Sequence, residues 1–510
     1  MAQVSIAGDA RPKFAAKFGV PYGVCARGHA IDVISAAFIF LSASLAAGRV
    51  WRFPFDDEIY QFNLSAAPSV LRLFPRNGGS EIFFYELQRL GLSPGQMRLC
   101  SLAMTAVALG LFQLLALALI KPQQGQTHPL SIRLIAILVF GLTPLAIGQG
   151  DALRWYPLFA FLIALFVTLY LTGNAAAQLC SAFVFGLAGS AISVTAILIP
   201  PFMLYRYGLQ RRFRWPFDAA FWLIAGLSGG AGIYHTVWFL YHLMPAARHI
   251  FGTSIGQAIL TNTLGFFGGD ALGVSQAWIV APTAVISALA AYSAIDQSEP
   301  DKPVHLLLLM IGASALMTLA HLSEPRAFLY LAPMIAVLLV LYFDRQIRTG
   351  RTARTLILVT LVLATSVSAI ANVNLSTHPF KRNAVVPYQN ILDFIAANEQ
   401  GRVLVVSTDP VLVWLLKNRG GDRCVGEFFA AQGCLRPGLH YDSIFIVSGY
   451  GVYSRDTAFM QRFNDFLAEI TAGRRKVASL GAGIDDDAAL KSRLTGVALG
   501  RTILTVDYYL

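Results

Sequence analysis

The chain has 510 residues, of which 56% are hydrophobic and only 13% are charged, and its mean hydropathy is +0.59. A soluble protein of this length needs more charged residues to cover its surface, so the composition excludes an ordinary soluble protein and indicates a membrane protein. The formal net charge of +11 would suit a nucleic-acid partner. The arginines and lysines cluster in short loops between apolar stretches, however, so we predict no nucleic-acid partner.

The chain begins with a basic segment, 1–30, that precedes the first apolar run. No small-residue cleavage site follows it, so we predict a signal anchor with a cytoplasmic N-terminal tail. Residues 31–374 then contain apolar stretches of the length that an α-helix needs to cross a bilayer core of about 30 Å. We predict eleven membrane helices, at 31–50, 98–120, 131–149, 155–172, 177–190, 193–207, 218–241, 272–295, 304–322, 327–343 and 355–374.

The loops between these segments predict the topology. Four arginines lie in each of the loops 205–218 and 344–354, and the positive-inside rule places both loops and the N-terminus in the cytoplasm. All three share one side only if 177–207 forms two short helices, which the stretch 186–193 and the pair Pro200-Pro201 also favour. By parity, the first outer loop (51–97) and the region after the last helix lie on the outer face of a bacterial inner membrane.

The last part of the chain, 375–510, loses the membrane pattern. Short β-branched runs in it alternate with segments of helical periodicity, which predicts a small periplasmic α/β domain. The whole is then a mainly α polytopic membrane protein of about eleven transmembrane helices with an α/β domain on the outer side. Cys424 and Cys434 lie in that domain, and their spacing permits a disulfide in an oxidising compartment without requiring one.

Three consecutive carboxylates, Asp56, Asp57 and Glu58, directly follow the first membrane helix. Charges at the water–lipid boundary are costly unless they are solvated or used in function. These carboxylates are therefore either a solvated helix end or part of a site.

Further polar residues gather on the same predicted face. Asp151 and Arg154 lie in a very short turn between the third and fourth helices, and Arg326 lies between the ninth and tenth. The loop 242–271 adds Arg248 and His249. Acidic and cationic side chains are thus expected together at the level of the lipid headgroups. This grouping favours a functional site over a solvated helix end.

This combination suits transfer of a sugar from a polyprenyl phosphate. The lipid tail holds the phosphate at the headgroup level, where arginines can bind it bidentately and stabilise the charge of the leaving group. A carboxylate is then needed to take the proton of the attacking hydroxyl, and neighbouring carboxylates would raise its pKa and make it a better base. Attack from the opposite face inverts the anomeric centre.

Over residues 30 to about 345 the sequence resembles the GT-C glycosyltransferases. The resemblance is to bacterial relatives of dolichyl-phosphate-mannose protein mannosyltransferases, a group that includes aminoarabinose transferases of lipid A and rhizobial galacturonosyltransferases of lipopolysaccharide. The motifs that carry it lie in order along the chain: Asp57-Glu58-Ile59-Tyr60, the stretch 91–98 that ends in Arg98, the turn 149–156 from Gln149 to Tyr156, and Arg326 with Tyr330 and Pro333.

The resemblance implies roles for single residues. Asp57 is expected to be the catalytic base with Glu58 in support, although Asp56 leaves that assignment open. Arg154 and Arg326 are implied as contacts to the lipid phosphate. The other side chains that we expect at the substrate are Tyr60, Asp151, Tyr156, Arg248 and His249. Some members of the group use a divalent metal and others do not, so metal use stays open.

The sequence departs from the GT-C relatives at one point. They often have a His-Pro-Pro element in the first outer loop, whereas residues 74–81 lack it here, which leaves acceptor recognition open. We therefore predict an inverting glycosyltransferase that moves a hexosyl or pentosyl group from a polyprenyl phosphate to a lipid, glycan or protein acceptor of the cell envelope. The chief alternative is a transporter or flippase for a lipid-linked saccharide, which would need ionisable residues along a path through the membrane midplane. A scaffold without catalytic activity is the third option.

Overall fold

The structure is a computed structural model, and it describes residues 29–47, 79–120, 128–171, 174–192, 195–211, 213–242, 255–268, 276–297, 303–319, 325–375, 388–418, 423–427, 440–449, 457–484 and 502–510. Helices occupy these residues as far as 375, and a mixed sheet follows. The helices of the first part are α1 (Ala30–Ala46), α2 (Gly79–Arg89), α3 (Pro94–Leu119), α4 (Leu130–Gly141), α5 (Pro144–Gln149), α6 (Trp155–Leu171), α7 (Ala175–Ala191), α8 (Thr195–Met203), α9 (Trp215–His242), α10 (Ile255–Gly268), α11 (Ala277–Gln297), α12 (Pro303–Leu319), α13 (Leu331–Arg348) and α14 (Thr352–Leu375).

The helical part has the composition of a multi-pass membrane protein. Among the described residues, four helical segments are long and apolar enough to cross a bilayer: Pro94–Leu119, Leu130–Gln149, Ala277–Asp296 and Thr352–Asn372. Several shorter apolar helices accompany them, including α1, α6 and α7. The prediction of a mainly helical membrane protein is confirmed. The total of eleven crossings and the side of each loop stay predictions.

Two helices lie where the sequence indicated loops. The helix α2 falls in the predicted first outer loop, and α10 falls in the loop 242–271. The helix α3 also begins at Pro94, four residues before the predicted segment at 98. Its start is fixed by a capping box, in which the Ser93 hydroxyl accepts from the Gln96 amide and the Gln96 side chain accepts from the Ser93 amide.

The region 177–207 forms separate helices, with α7 ending at Ala191 and α8 beginning at Thr195. Two prolines, Pro200 and Pro201, lie inside α8 and remove backbone donors from it. A π-helical turn, Leu204–Leu209, follows immediately. Such turns absorb a locally broken hydrogen-bond ladder and often occur at functional positions.

Small residues let α7 and α9 approach closely. A Cβ atom added at Gly186 would overlap the Ser228 hydroxyl and the Ala225 carbonyl oxygen, and one at Gly232 would overlap the Gly189 carbonyl. The Ser190 hydroxyl also donates to the Ser228 carbonyl across the interface, at 2.6 Å. This is the packing that membrane helices use when lipid tails offer no hydrophobic drive to association.

Gly186→Ala should therefore destabilise the protein, because the backbone of α9 cannot move away from the new methyl group without losing its packing. We expect a loss of about 1–3 kcal/mol in the free energy of unfolding, measured as a lower Tm in detergent. Gly226→Ala on α9 is the matched control, since nothing lies within 4 Å of its added Cβ. Equal Tm values for the two variants would contradict this packing.

A buried polar cluster joins the start of α1 to α4. Arg133 binds Asp32 bidentately, with Nε–Oδ2 and Nη2–Oδ1 distances of 2.8 Å each, and His29 contacts Asp32 at 2.8 Å. The ring of His128, just before α4, lies 5.0 Å from that of His29. Burial lowers the pKa of His128 below its ordinary value of 6.5, and the positive charge that His29 can carry lowers it further.

Acid should destabilise the fold through His128. Its folded-state pKa is depressed, so below about pH 6.5 the unfolded chain binds the proton more readily, while above that pH both states are neutral and the effect vanishes. We expect Tm to fall as the pH is lowered from about 7.5 to about 5.5, and we expect a smaller fall in His128→Asn. Superimposable pH profiles of the two proteins would contradict this.

The last part of the described chain is a five-stranded mixed sheet in the order β2-β1-β3-β5-β4. Its elements are α15 (Tyr388–Asn398), β1 (Val403–Ser407), α16 (Pro410–Asn418), β2 (Arg423–Glu427), β3 (Ser443–Gly449), α17 (Thr457–Thr471), β4 (Lys476–Ile484) and β5 (Thr502–Tyr509). The strand β1 pairs in parallel with β2 and β3, and β5 runs antiparallel to β3 and β4.

Side chains alternate across this sheet, as the β-branched runs predict. Val403 and Val405 belong to the core that includes α15 and α16, while Leu404 and Val406 belong to the core formed with α17. Both faces are thus covered, which explains the continuous apolar run of β1. Cys424 on β2 is disulfide-bonded, but its partner is not among the described cysteines, because Cys100 and Cys180 carry free thiols.

Candidate functional site

The turn 149–156 connects α5 to α6 and is packed directly against the neighbouring helices. A Cβ at Gly150 would meet the Ala146 carbonyl oxygen, the Thr105 methyl group and the Phe40 ring. Only glycine therefore allows the turn to lie this close to α1 and α3. The Thr105 hydroxyl holds it there by donating to the Gly150 carbonyl at 3.1 Å.

The charged residues of this turn differ in their exposure. Asp151 is 1% exposed, and Arg154 is half-buried. Between them, Leu153 packs with Phe84 of α2 and Met97 of α3 in a small apolar cluster. The turn is thus enclosed by α2 and α3, and it holds a carboxylate and a guanidinium three residues apart.

Arg98 lies in the stretch of α3 that packs against this turn. It is 2% exposed and is among the largest fully buried side chains of the described chain. Met97 packs against Leu153, and Thr105 bonds the turn two helical turns further on, so this stretch of α3 runs alongside the turn. The sequence placed Arg98 in a motif without assigning it a role. The available signal was a charge in the first turns of an apolar helix, which is costly without a function.

Arg326 also lies against this turn, at Tyr156. It lies in the 3-10 turn Pro325–Phe328 and is 5% exposed. Its guanidinium lies 5.7 Å from the centre of the Tyr156 ring, within the range of a cation–π contact. Tyr330 reinforces this junction, because its ring meets Phe159 of α6 at 5.0 Å and its hydroxyl hydrogen-bonds Ser314.

Two buried polar groups beside these charges lack hydrogen-bond partners within the described part of the chain. They are the side-chain amide of Gln149 and the hydroxyl of Ser101, and both residues are 0% exposed. Buried polar groups are nearly always satisfied by protein, water or ligand. Both lie beside Gly150: Gln149 precedes it, and Thr105 donates to the Ser101 carbonyl as well as to that of Gly150.

The structure therefore brings together part of the predicted site. Asp151, Arg154 and Tyr156 share one turn, Arg326 contacts Tyr156, and the buried Arg98 lies on the stretch of α3 that packs against the turn. The remaining predicted site residues lie outside the described residues: Asp56, Asp57, Glu58, Tyr60, Arg248 and His249. Their placement, and with it the identity of the base, stays a prediction.

The question of a metal also stays open. Within the residues that the structure describes, no group of three or more His, Cys, Asp or Glu side chains converges as metal ligands do. The carboxylates at 56–58 lie outside that range. Among the described residues, the charged groups of this region are three arginines and one aspartate.

Comparison with solved structures identifies the fold. The crystal structure of ArnT from Cupriavidus metallidurans bound to undecaprenyl phosphate matches with a TM-score of 0.52 and 12% sequence identity, over 94% of this chain and 98% of that one. ArnT is an aminoarabinose transferase of GT-C fold, and the match confirms the predicted resemblance at the level of the fold. No protein-family model matches the chain, and no curated protein sequence matches it.

Proposed function

We propose that this chain is an inverting glycosyltransferase that takes a sugar from a polyprenyl phosphate and transfers it to a cell-envelope acceptor at the outer face of the inner membrane. The observation that carries the proposal is the burial of Arg98 and Arg326 on two elements that pack against the turn 149–156. Buried guanidinium groups are costly, and a chain keeps them where they are paired or bind a charged ligand.

Phosphate is the ligand that this arrangement suits best. Guanidinium groups bind phosphate oxygens bidentately, and Arg98, Arg154 and Arg326 approach from three elements of the fold. Positive charge at this position stabilises the phosphate as it leaves the sugar. The ArnT structure was solved with undecaprenyl phosphate, which supports a polyprenyl phosphate as the lipid part of the donor here.

The sugar would lie against the uncharged groups of the same wall. The amide of Gln149 and the hydroxyl of Ser101 supply donors and acceptors of the kind that sugar hydroxyls pair with. Tyr156, beside Arg326, offers a ring face that a pyranose can stack on. Asp57, with Asp56 and Glu58 next to it, supplies the carboxylate that takes the proton from the acceptor hydroxyl.

Two features support the outer face as the side of the reaction. The predicted cytoplasmic loops are rich in arginine, and helix parity places the turn 149–156 opposite them. The disulfide at Cys424 fits an oxidising compartment and so supports a periplasmic α/β domain. Lipopolysaccharide, another glycan and a protein are the acceptor classes found in that compartment.

Transfer by purified protein in detergent tests the proposal against the transporter alternative. Labelled polyprenyl-phosphate sugars are mixed with the protein and with detergent-solubilised lipopolysaccharide, other glycans or proteins of the envelope, and labelled product is measured. A transferase makes product without a sealed compartment, whereas a flippase needs two compartments to show activity. Mass spectrometry of envelope glycans and glycoproteins, with and without the gene, then identifies sugar and acceptor. A glycan profile that does not depend on the gene would contradict the proposal.

A further inference from the structure

An open apolar groove of about 660 Å³ lies where α8 continues through the π-helical turn Leu204–Leu209 towards α9. Its volume is within the range of ligand pockets, about 300–1,000 Å³. The groove is far along the chain from the proposed active site and shares none of its residues. Its lining residues are Met203, Tyr207, Phe213, Trp215, Asp218, Ala219 and Trp222.

Asp218, the one acidic side chain among the described lining residues, is neutralised within the protein. Asp218 is 2% exposed, and its Oδ1 accepts from Arg206 Nε at 2.6 Å and from the Tyr207 hydroxyl at 3.0 Å. Its Oδ2 accepts from the Arg214 backbone amide. Asp218 therefore fixes the shape of the groove and offers little negative charge to an occupant.

Arg206 is likewise committed to the fold. It is 4% exposed, and its guanidinium lies 5.3–5.9 Å from four aromatic ring centres. Tyr207, held by the Trp222 indole N–H at 2.7 Å, then forms part of the groove wall. The buried Arg206 thus lies inside the π-helical turn, and the exposed Arg211 and Arg214 follow that turn.

The rim of the groove is positively charged and aromatic. Arg211 and Arg214 are exposed, and they flank Phe213, which is 65% exposed. Trp215 follows at 71% exposure. Exposed aromatic residues beside basic residues at the end of an apolar helix are typical of the membrane–water interface.

We propose that this groove binds one acyl chain of an anionic glycerophospholipid, and that Arg211 and Arg214 bind its phosphate. An amphiphile with an apolar tail and a negative head matches an apolar groove with a positive rim. The phospholipid would come from the leaflet that we predict to be cytoplasmic, where basic segments near the membrane attract anionic lipid. The lipid bound here fills the space between α8 and α9, next to the π-helical turn that interrupts the regular α-helical hydrogen bonds.

Native mass spectrometry of the full-length protein with phosphatidylglycerol tests this. Wild-type protein should retain one phosphatidylglycerol molecule more tightly than phosphatidylcholine. The double variant Arg211→Gln with Arg214→Gln should bind phosphatidylglycerol roughly thirtyfold more weakly, because each basic residue at an anionic lipid surface contributes about a fivefold gain. Ala219→Phe, at an exposed lining position, should displace the lipid by filling the groove.

The matched control is Arg351→Gln with Arg354→Gln, two exposed arginines in the other arginine-rich loop. It should keep the tightly bound lipid. Equal loss in both double variants would show general charge attraction and overturn the proposal. The proposal would also be overturned if the Arg211→Gln, Arg214→Gln variant retained phosphatidylglycerol as tightly as the wild type. Displacement of the phosphatidylglycerol by undecaprenyl phosphate would overturn it as well.

Discussion

Asp57→Asn should lower the rate of sugar transfer by a factor of about 10²–10⁴, the usual contribution of a general base. The asparagine side chain has nearly the same shape as aspartate but cannot accept the proton of the attacking hydroxyl. The effect should appear in kcat and leave polyprenyl-phosphate binding almost unchanged. Transfer of labelled sugar by purified protein measures kcat, and titration of a fluorescent polyprenyl phosphate measures the binding.

Asp56→Asn is the matched comparison, since it makes the same change one residue earlier. If Asp57 is the base, Asp56→Asn should reduce transfer only a few-fold; if the two effects are exchanged, Asp56 is the base. Expression and Tm should stay at wild-type values in both variants. Full activity in both would exclude the carboxylates at 56–58 from the chemistry.

Arg326→Gln should weaken binding of polyprenyl phosphate by about 10- to 150-fold, because a hydrogen bond to a charged group contributes about 1.5–3 kcal/mol. Arg326 is 5% exposed and already positioned against Tyr156, so little side-chain ordering is needed on binding. The affinity of Arg326→Lys should lie between those of the wild type and Arg326→Gln, because lysine keeps the charge but loses the bidentate geometry. Titration of a fluorescent polyprenyl phosphate measures the affinities.

Loss of folding must be separated from loss of binding in these variants, because Arg326 is buried. Tm and the elution volume in size-exclusion chromatography give that control. Arg354→Gln, at an exposed position outside the site, should keep wild-type affinity. Wild-type affinity in Arg326→Gln would remove this residue from the phosphate site.

Much of the helical fold follows from the sequence, because length and hydropathy alone define an apolar membrane helix. The segment predicted at 155–172 is the helix Trp155–Leu171. The break within 177–207 follows from the loop charges and the stretch 186–193, since α7 ends at Ala191, whereas Pro200 and Pro201 lie inside α8. The helices α2 and α10 were missed since neither is a long uninterrupted apolar run. The start of α3 was missed because its capping box acts through local hydrogen bonds, which hydropathy does not detect.

The candidate site was only partly predictable for a related reason. Charge and position along the chain identify Asp151, Arg154 and Arg326 as unusual, but they do not reveal which side chains become buried together. Arg98 is marked as a candidate by its burial and by the packing of its neighbour Met97 with Leu153, and both are tertiary properties. Gln149 was recognised as part of a motif, and the absence of a partner for its amide within the described residues is a tertiary property.

A structure of the protein determined by cryo-electron microscopy with polyprenyl phosphate bound tests the central claim most directly. The phosphate should lie about 3 Å from guanidinium nitrogens of Arg98, Arg154 or Arg326, the distance of a charge-assisted hydrogen bond. A phosphate bound instead at Arg211 and Arg214, with the turn 149–156 empty, would contradict the claim.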